Sequence, residues 1–418
     1  KYVTQPGDGY DRPLALSSLE FINMKNSFCK WLRPVVLAAL IGFMLPSYAV
    51  DLLDLPAIKS DAASRALLLD VTNRGEDALV AVGAFGVIIV SEDNGATWTQ
   101  ADVPASVALT AVDFPTGTKG WAVGHDGLIL HTADGGASWT KQLDGHQLNE
   151  QIMAVAERIV EQVRGELETL EAMEEPDEYE LEDAEFMLEE AEFMLEGALD
   201  DTAAGPVRPL LDVWFRDENE GFVLGSYGML LHTRDGGNSW DLVSDRMDNA
   251  EAFHLNQIAP APDGTLFIAG EAGFVYRSYD GGESWDTLEP GYEGSFYGIV
   301  IVPNGDESYE LLAYGLRGNL FRSVDRGDSW ESLDSGTSVT LTNGALLDDG
   351  TVLLVGQGGT MLIREPGQQS FNNLSNPDRR VISGLQQMPN GNIMLVGLGG
   401  VRQTGPDGVP VALPANEQ

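Results

Sequence analysis

Short apolar runs, cut by glycine and aspartate, set the rhythm of this chain. In the first full unit, residues 66–72 alternate weakly between apolar and polar positions. Residues 78–83 (ALVAVG) then form one unbroken apolar run, and two more short runs follow at 86–92 and 97–103. Alternation fits a strand with one buried face; an unbroken run bounded by turn residues fits a strand buried on both. The Gly, Asp and Asn clusters between the runs are turn signals. Each unit therefore predicts four short strands. The second apolar run ends each time in a Gly-x-x-Gly or closely similar turn, starting at Gly83, Gly124, Gly225, Gly270, Gly315, Gly356 and Gly397. These starts lie 41 or 45 residues apart, except for one interval of 101. Four strands in about 40–45 residues is the signature of a propeller blade. The expected fold is all-β, a seven-bladed β-propeller with four-stranded blades across residues 50–418. A single blade cannot bury both of its faces, so neighbours must stack and the ring must close.

The long interval changes period. Ile152, Ala156, Ile159, Val163, Leu167, Leu170 and Met173 fall on one helical stripe, and Pro176 breaks it. The second stretch repeats a heptad, Ala184-Glu-Phe-Met-Leu-Glu recurring at Ala191. An α-helical hairpin at 147–200, inserted between blades 2 and 3, is predicted. Between Glu150 and Asp201 there are 20 acidic residues against Arg158 and Arg164. Two readings stand: a solvated acidic face over a self-packed hairpin, or a docking element presenting Phe186, Met187, Phe193 and Met194. The insertion follows the fourth strand of one blade and precedes the first strand of the next. It should therefore rise from the face that carries the Gly-x-x-Gly turns.

The first 49 residues read differently. Residues 24–49 carry Lys25, Lys30 and Arg33, an apolar run at 35–45 and a small-x-small site at Ser47-Tyr48-Ala49. This is the pattern of a secretory signal peptide, with 1–23 as an upstream extension. The apolar run is short for a stable span, so no direct membrane insertion is expected after cleavage. The only cysteine, Cys29, falls inside that segment, which leaves no disulfide and no Cys-ligated metal. A periplasmic location in a Gram-negative bacterium is expected. The formal charge of −41 disfavours nucleic acid and anionic membrane surfaces as partners.

Five units carry Ser/Thr-x-Asp-x-Gly-x-Thr/Ser-Trp at fixed offset: Asp93 with Trp98, Asp134 with Trp139, Asp235 with Trp240, Asp280 with Trp285, and Asp325 with Trp330. The sixth unit has Pro366 at the aspartate position, and the seventh keeps only Asp407-Gly408. A carboxylate here can accept N–H groups across a turn, and the indole offers a large apolar plate. Five aspartates at equivalent turns of a ring cannot converge on one substrate, so their role is structural. Chemistry must come from the variable positions inside the Gly-x-x-Gly turns: Phe85, His125 and Asp126, Tyr227, Glu271, Arg317 and Gln357. His131 and His232 hold equivalent strand positions and are expected to pack. No histidine pair has metal spacing, and no metal or other cofactor is expected. Asp126 and Glu271 could supply the carboxylate pair of a glycosidase.

The aspartate cassette is the Asp box of bacterial-neuraminidase-type repeats. Sialidases share it but read their substrate with an arginine cluster, and these turns offer one arginine. The whole pattern, Gly-x-x-Gly, apolar strand and Asp box behind an export signal, resembles the photosystem II assembly and stability factor family. The resemblance runs over the seven units, apart from the helices. It implies a seven-bladed propeller without known catalysis that binds a membrane-protein subunit during assembly. For related proteins of non-phototrophic bacteria, the resemblance implies an accessory role beside resistance-nodulation-division exporters, as is often predicted for them. Plant and cyanobacterial members present an arginine-rich patch, of which only Arg317 is matched here, and the acidic hairpin is extra. The expectation is a non-catalytic periplasmic protein-binding scaffold for a membrane protein or transporter complex. The alternative is a glycan-binding or glycoside-hydrolase-like propeller.

Overall fold

The computed structural model describes residues 50–174, 177–305, 308–374 and 378–411. The expected signal segment and its upstream extension, with Cys29, lie outside them, as do Pro176 and residues 412–414 at the end of the chain. Seven four-stranded antiparallel sheets follow one another in chain order, each built from four consecutive strands. Blade 1 is β1 (Leu68–Asn73), β2 (Leu79–Gly83), β3 (Ile88–Ser91) and β4 (Thr99–Gln100). Blades 2 to 7 repeat this over 109–143, 210–242, 255–288, 296–333, 341–373 and 382–411. The all-β seven-bladed propeller stands. The second strand of every blade is buried at each position, which is why these runs read as unbroken apolar sequence rather than as alternation.

Seven apolar clusters fill the seven spaces between blades. Val80, Val82 and Ile88 of blade 1 meet Leu109, Phe114, Leu130 and Trp139 of blade 2. Trp121 of blade 2 stacks on Phe215 of blade 3, with ring centroids 3.6 Å apart. The ring closes where Leu79, Ala81 and Ile89 of blade 1 pack on Met388, Met394 and Val396 of blade 7. Closure uses no exchanged strand among the described residues. The lead-in forms two single 3-10 turns, Leu52–Asp54 and Ala63–Arg65. It buries Leu53 between blades 1 and 2, and Val401 of blade 7 donates its N–H to Ser64 O at 3.0 Å.

The innermost strand of each blade has one edge with no strand beside it, and its N–H groups need acceptors. In blades 2 to 5 a side chain of the preceding blade accepts one of them. Val112 donates to Asp70 (2.9 Å), Phe215 to Asp113 (2.7 Å), Ile258 to Asp212 (2.9 Å) and Ile299 to Gln257 (2.7 Å). Across the closure the roles reverse: the Asn73 side-chain amide, Nδ2, donates to the backbone Gln387 O at 2.9 Å. Asp70 and Asp212 line a polar central cavity of about 300 Å³. Burial pushes Asp70 and Asp113 up to about 6 against the pull of the N–H donors, and raises Asp212 as well.

Blade 6 solves its missing box differently. Arg364 stands where the other blades have the box Ser or Thr. Its guanidinium grips Glu310 of blade 5 with both ends, at 3.0 and 2.5 Å, and Arg322 binds the same carboxylate. Arg364 and Glu310 are both buried. Leu320, Leu341 and Leu354 pack in this interface, with Phe371 at its margin instead of a tryptophan.

Two helices, α1 (Gly145–Glu171) and α2 (Glu178–Ala204), separate blades 2 and 3. Asp144 starts α1 with a capping box to Gln147. Ala156, Val160 and Val163 of α1 and Ala191 and Ala198 of α2 are buried, and Arg164 pairs with Glu192 at 2.7 Å. Among the described residues no helix is long and apolar enough to cross a membrane.

Two outcomes test this account. Glu310→Ala leaves Arg364 buried without its carboxylate and should cost about 3–5 kcal/mol in chemical denaturation; the Glu310→Leu, Arg364→Met pair should recover most of it. Carboxyl ¹³C titration should place Asp70 and Asp113 near pH 6. Their folded values lie above the ordinary value near 3.8, so the stability they contribute is full below about pH 4 and is lost as pH rises to about 6. Midpoints near 4 would contradict it.

Candidate protein-docking face

The Gly-x-x-Gly turns share one geometry. The turn's second residue donates its N–H to the carbonyl just before its own blade's first strand, in all seven blades: Ala84 to Leu67, His125 to Ala108, Ser226 to Pro209, Glu271 to His254, Leu316 to Ser295, Gln357 to Thr340 and Leu398 to Val381. The first glycine is required by this approach. A Cβ on Gly83 would lie 2.2 Å from Leu67 O. The last glycine combines positive φ with close contact: on Gly86 (φ +69) a Cβ would meet Ala105 O at 2.1 Å. Between them, the third turn residue is left-handed: Phe85, Asp126, Tyr227, Ala272 and Arg317 have φ of 54–59°. Glycine would take this conformation freely. A side chain there costs on the order of 1 kcal/mol, yet five blades keep one.

The turns form a ring of outward positions. Phe85 is 78% and Tyr227 53% exposed, and His125, Arg317 and Gln357 are exposed as well. Asp126 and Glu271 are half-buried and sit on blades 2 and 4. Asp126 lies under the hairpin, where burial raises its carboxyl against the neighbouring His125. Glu271 is engaged elsewhere: it accepts His254 N at 3.2 Å and lies 3.5 Å from the His254 ring. Neither lines the central cavity. The structure gives the two carboxylates separate surroundings.

Sequence reasoning missed several face residues because they lie before the first strands, outside the turns. The His254 ring accepts Tyr227 N at 3.1 Å and meets the Tyr227 ring edge-on. Arg208 covers the same tyrosine at 5.2 Å and pairs with Asp201 of α2. The Arg380 side chain borders the seventh turn, where a Cβ on Gly399 would meet its guanidinium, and it pairs with Asp378 at 3.3 Å. Arg208 and Arg380 thus join Arg317 at this face, the first two each paired with a carboxylate. The only available signal was position relative to the following apolar run.

The hairpin is fixed at this face. Gly145 touches Gly127 of the blade 2 turn, and Gly127 N–H reaches Arg208 O at 2.9 Å. Leu148 is buried between blades 2 and 3. Asn149 donates to Asp201 O and Gly205 O, closing the base. His146 binds Asp51 of the lead-in at 2.8 Å, a contact that raises the imidazole and lowers the carboxyl. From there α1 flanks blade 3, leaving a cavity of about 560 Å³ lined by Val155, Arg158, Ser239 and Trp240. On α2, Leu188 and Leu195 are half-buried, whereas Phe186, Met187, Phe193 and Met194 are about half to three-quarters exposed.

The Asp boxes are turn-building devices. Asp280 accepts Ser284 Oγ (2.6 Å), Ser284 N (3.0 Å) and Ser278 Oγ (2.8 Å). The Ser284 hydroxyl above all, against burial, holds Asp280 down at about 2. Asp93, Asp134, Asp235 and Asp325 repeat these bonds. Trp139, Trp240 and Trp285 enter the clusters between blades, and Trp98 and Trp330 pack against theirs. His131 packs against Trp121, and buried His232 stacks on Phe222 at 4.1 Å. Among the described residues no cluster of three or more His, Cys, Asp or Glu is placed to hold a metal.

Seven stacked blades, Asp boxes and a ring of outward turn residues define the class: a seven-bladed Asp-box propeller with one elaborated face. The chain belongs to the family of the photosynthesis system II assembly factor YCF48, whose model matches residues 57–166 and 203–408. A solved structure of YCF48 bound to a D1 peptide is 17% identical, covering 83% of this chain and 97% of that one, with a TM-score of 0.55. YCF48 from Cyanidioschyzon merolae is 16% identical at the same coverage, with a TM-score of 0.54. The WD40 propeller of Doa1 is 13% identical over 83% of this chain and 94% of that one, at 0.51. At such identities the solved structures establish the fold alone. No curated protein matches the chain.

Asp280→Ala removes four hydrogen bonds from one turn, those from Ser278 Oγ, Glu283 N, Ser284 N and Ser284 Oγ, and should lower unfolding stability by about 1–2 kcal/mol at pH 7, as losing a helix cap does. The depressed carboxyl contributes above its ordinary value near 3.8 and loses that contribution as pH falls toward about 2. The gap between variant and wild type should therefore narrow in acid; a constant gap from pH 7 to 3 would rule out the ionised box.

Proposed function

We propose that this chain is a non-catalytic, exported scaffold that holds a membrane protein during assembly or operation of its complex. It acts in the periplasm, and an exporter of the resistance-nodulation-division class is the candidate partner. The carrying observation is the ring of left-handed turn residues. Five blades keep a side chain where glycine would be unstrained, and these side chains stand on one face. A preformed surface loses little conformational entropy on binding, and rigid blades under the turns supply that preorganisation. Family membership supports a protein partner, as does the D1 peptide bound by the similar YCF48 structure. Phe85 and Tyr227 supply the apolar anchors expected of a binding centre, with the exposed Arg317 as a cation on the same ring of turns.

The test uses residues 50–418 and the purified exporter in nanodiscs. Phe85→Ala with Tyr227→Ala should weaken binding at least about tenfold, or about 1.4 kcal/mol, with the unfolding midpoint unchanged because both side chains are exposed. Arg317→Glu should act in the same direction. Exporter affinity unchanged in both variants would remove the ring face from the reading. Turnover of an oligosaccharide that is lost in Asp126→Asn or Glu271→Gln would replace it with a glycosidase.

A further inference from the structure

α2 is apolar on two opposite sides. One carries Leu181, Ala184, Leu188, Ala191, Leu195 and Ala198 at alternating steps of three and four, and its alanines at 191 and 198 are buried in the hairpin. This is a complete seam for packing on one helix. The other side carries Tyr179, Phe186 and Phe193, seven residues apart and 80%, 57% and 74% exposed. Seven residues rise about 10.5 Å and drift only about 20° around an α-helix. The three rings therefore make one ridge about 21 Å long. Acidic residues three and four positions along, Glu182, Asp183, Glu189, Glu190 and Glu196, border it. The hairpin does not use this ridge, and a merely solvated face would not need three aromatic rings in register.

We propose that the Tyr179–Phe186–Phe193 ridge docks a basic amphipathic helix of a partner protein, completing a three-helix bundle. Three observations specify the occupant. The sevenfold repeat matches the apolar seam of a helix packing at a shallow angle. The acidic rows meet Lys and Arg flanking that seam, and an Arg side chain can also stack on the exposed rings. A second copy of this chain would bring 20 acidic residues against only two arginines on each hairpin, and an anionic lipid surface would be repelled in the same way. Nearly all of α2 lies in the gap between the family-matched segments, 57–166 and 203–408. The ridge therefore lies outside the family-matched sequence, and the proposal deepens the protein-binding reading, on which it rests, by naming the chemistry of one partner element.

The probe is a labelled peptide of about 21 residues, six helical turns, with Leu at the seam positions of three heptads and Lys beside them. Its binding to residues 50–418 is read by fluorescence anisotropy. Binding should be saturable and weaken with salt. It should fall at least about tenfold for Phe186→Ala with Phe193→Ala and for Glu189→Lys with Glu190→Lys, with helix content unchanged by circular dichroism. Equal affinity for a scrambled peptide of the same composition would overturn the proposal in favour of diffuse charge attraction. So would sedimentation showing a dimer that the double Phe variant dissolves, which would make a second copy the occupant. Phe85→Ala with Tyr227→Ala should leave peptide binding unchanged, so the ridge and the ring face fail or stand separately.

Discussion

The free inner edge of each blade is the constraint on which the rest depends. A four-stranded sheet ends on both sides in unpaired N–H and C=O groups, and at the centre of a ring those groups face a narrow cavity rather than bulk water. In blades 2 to 5 one such N–H finds an acceptor on the preceding blade: Asp70, Asp113, Asp212 and Gln257 each take an N–H of the next inner strand. Three of the four acceptors are carboxylates held in poor solvent, and their raised proton affinity follows from that placement. A polar cavity is thus a consequence of closing the ring, and it needs no ligand to explain it.

With the edges satisfied, each interface needs only an apolar filling and a rim lock. Five interfaces take a box tryptophan as filling and a box aspartate to shape the turn beneath it. The interface between blades 5 and 6 uses Arg364, Glu310 and Arg322 instead. Losing the box there did not loosen the ring, because an ion pair fixes orientation at the rim as the turn does elsewhere. Such a pair adds little over apolar packing, but it is costly to break once built.

The same rigidity makes the Gly-x-x-Gly face suitable for recognition. Every turn is tied to its own blade by the same hydrogen bond, so what varies between blades is side-chain chemistry at fixed positions. The hairpin joins this face through Arg208 and Asp201, and through Gly145 against the blade 2 turn. An acidic helical pair thus stands beside a ring with several arginines.

The chain's own pattern determined the blade count, the four strands per blade, the place of the insertion and the structural meaning of the Asp boxes. All of these are local: a turn, a run and a fixed offset recur whatever lies across the ring. The helical period likewise located both helices. It did not separate the two apolar sides of α2, because Phe186, Met187 and Leu188 are adjacent in sequence and only the partner helix decides which one turns inward. Tertiary structure alone decided the contacts made between distant segments. Arg364 reaches Glu310 across an interface, His254 and Arg208 meet Tyr227 on the ring face, and Asp126 and Glu271 fall into different surroundings. The second 3-10 turn of the lead-in meets the seam, where Ser64 O accepts the Val401 N–H. Each of these depends on which residues the closed ring brings together, and sequence spacing carries no record of that.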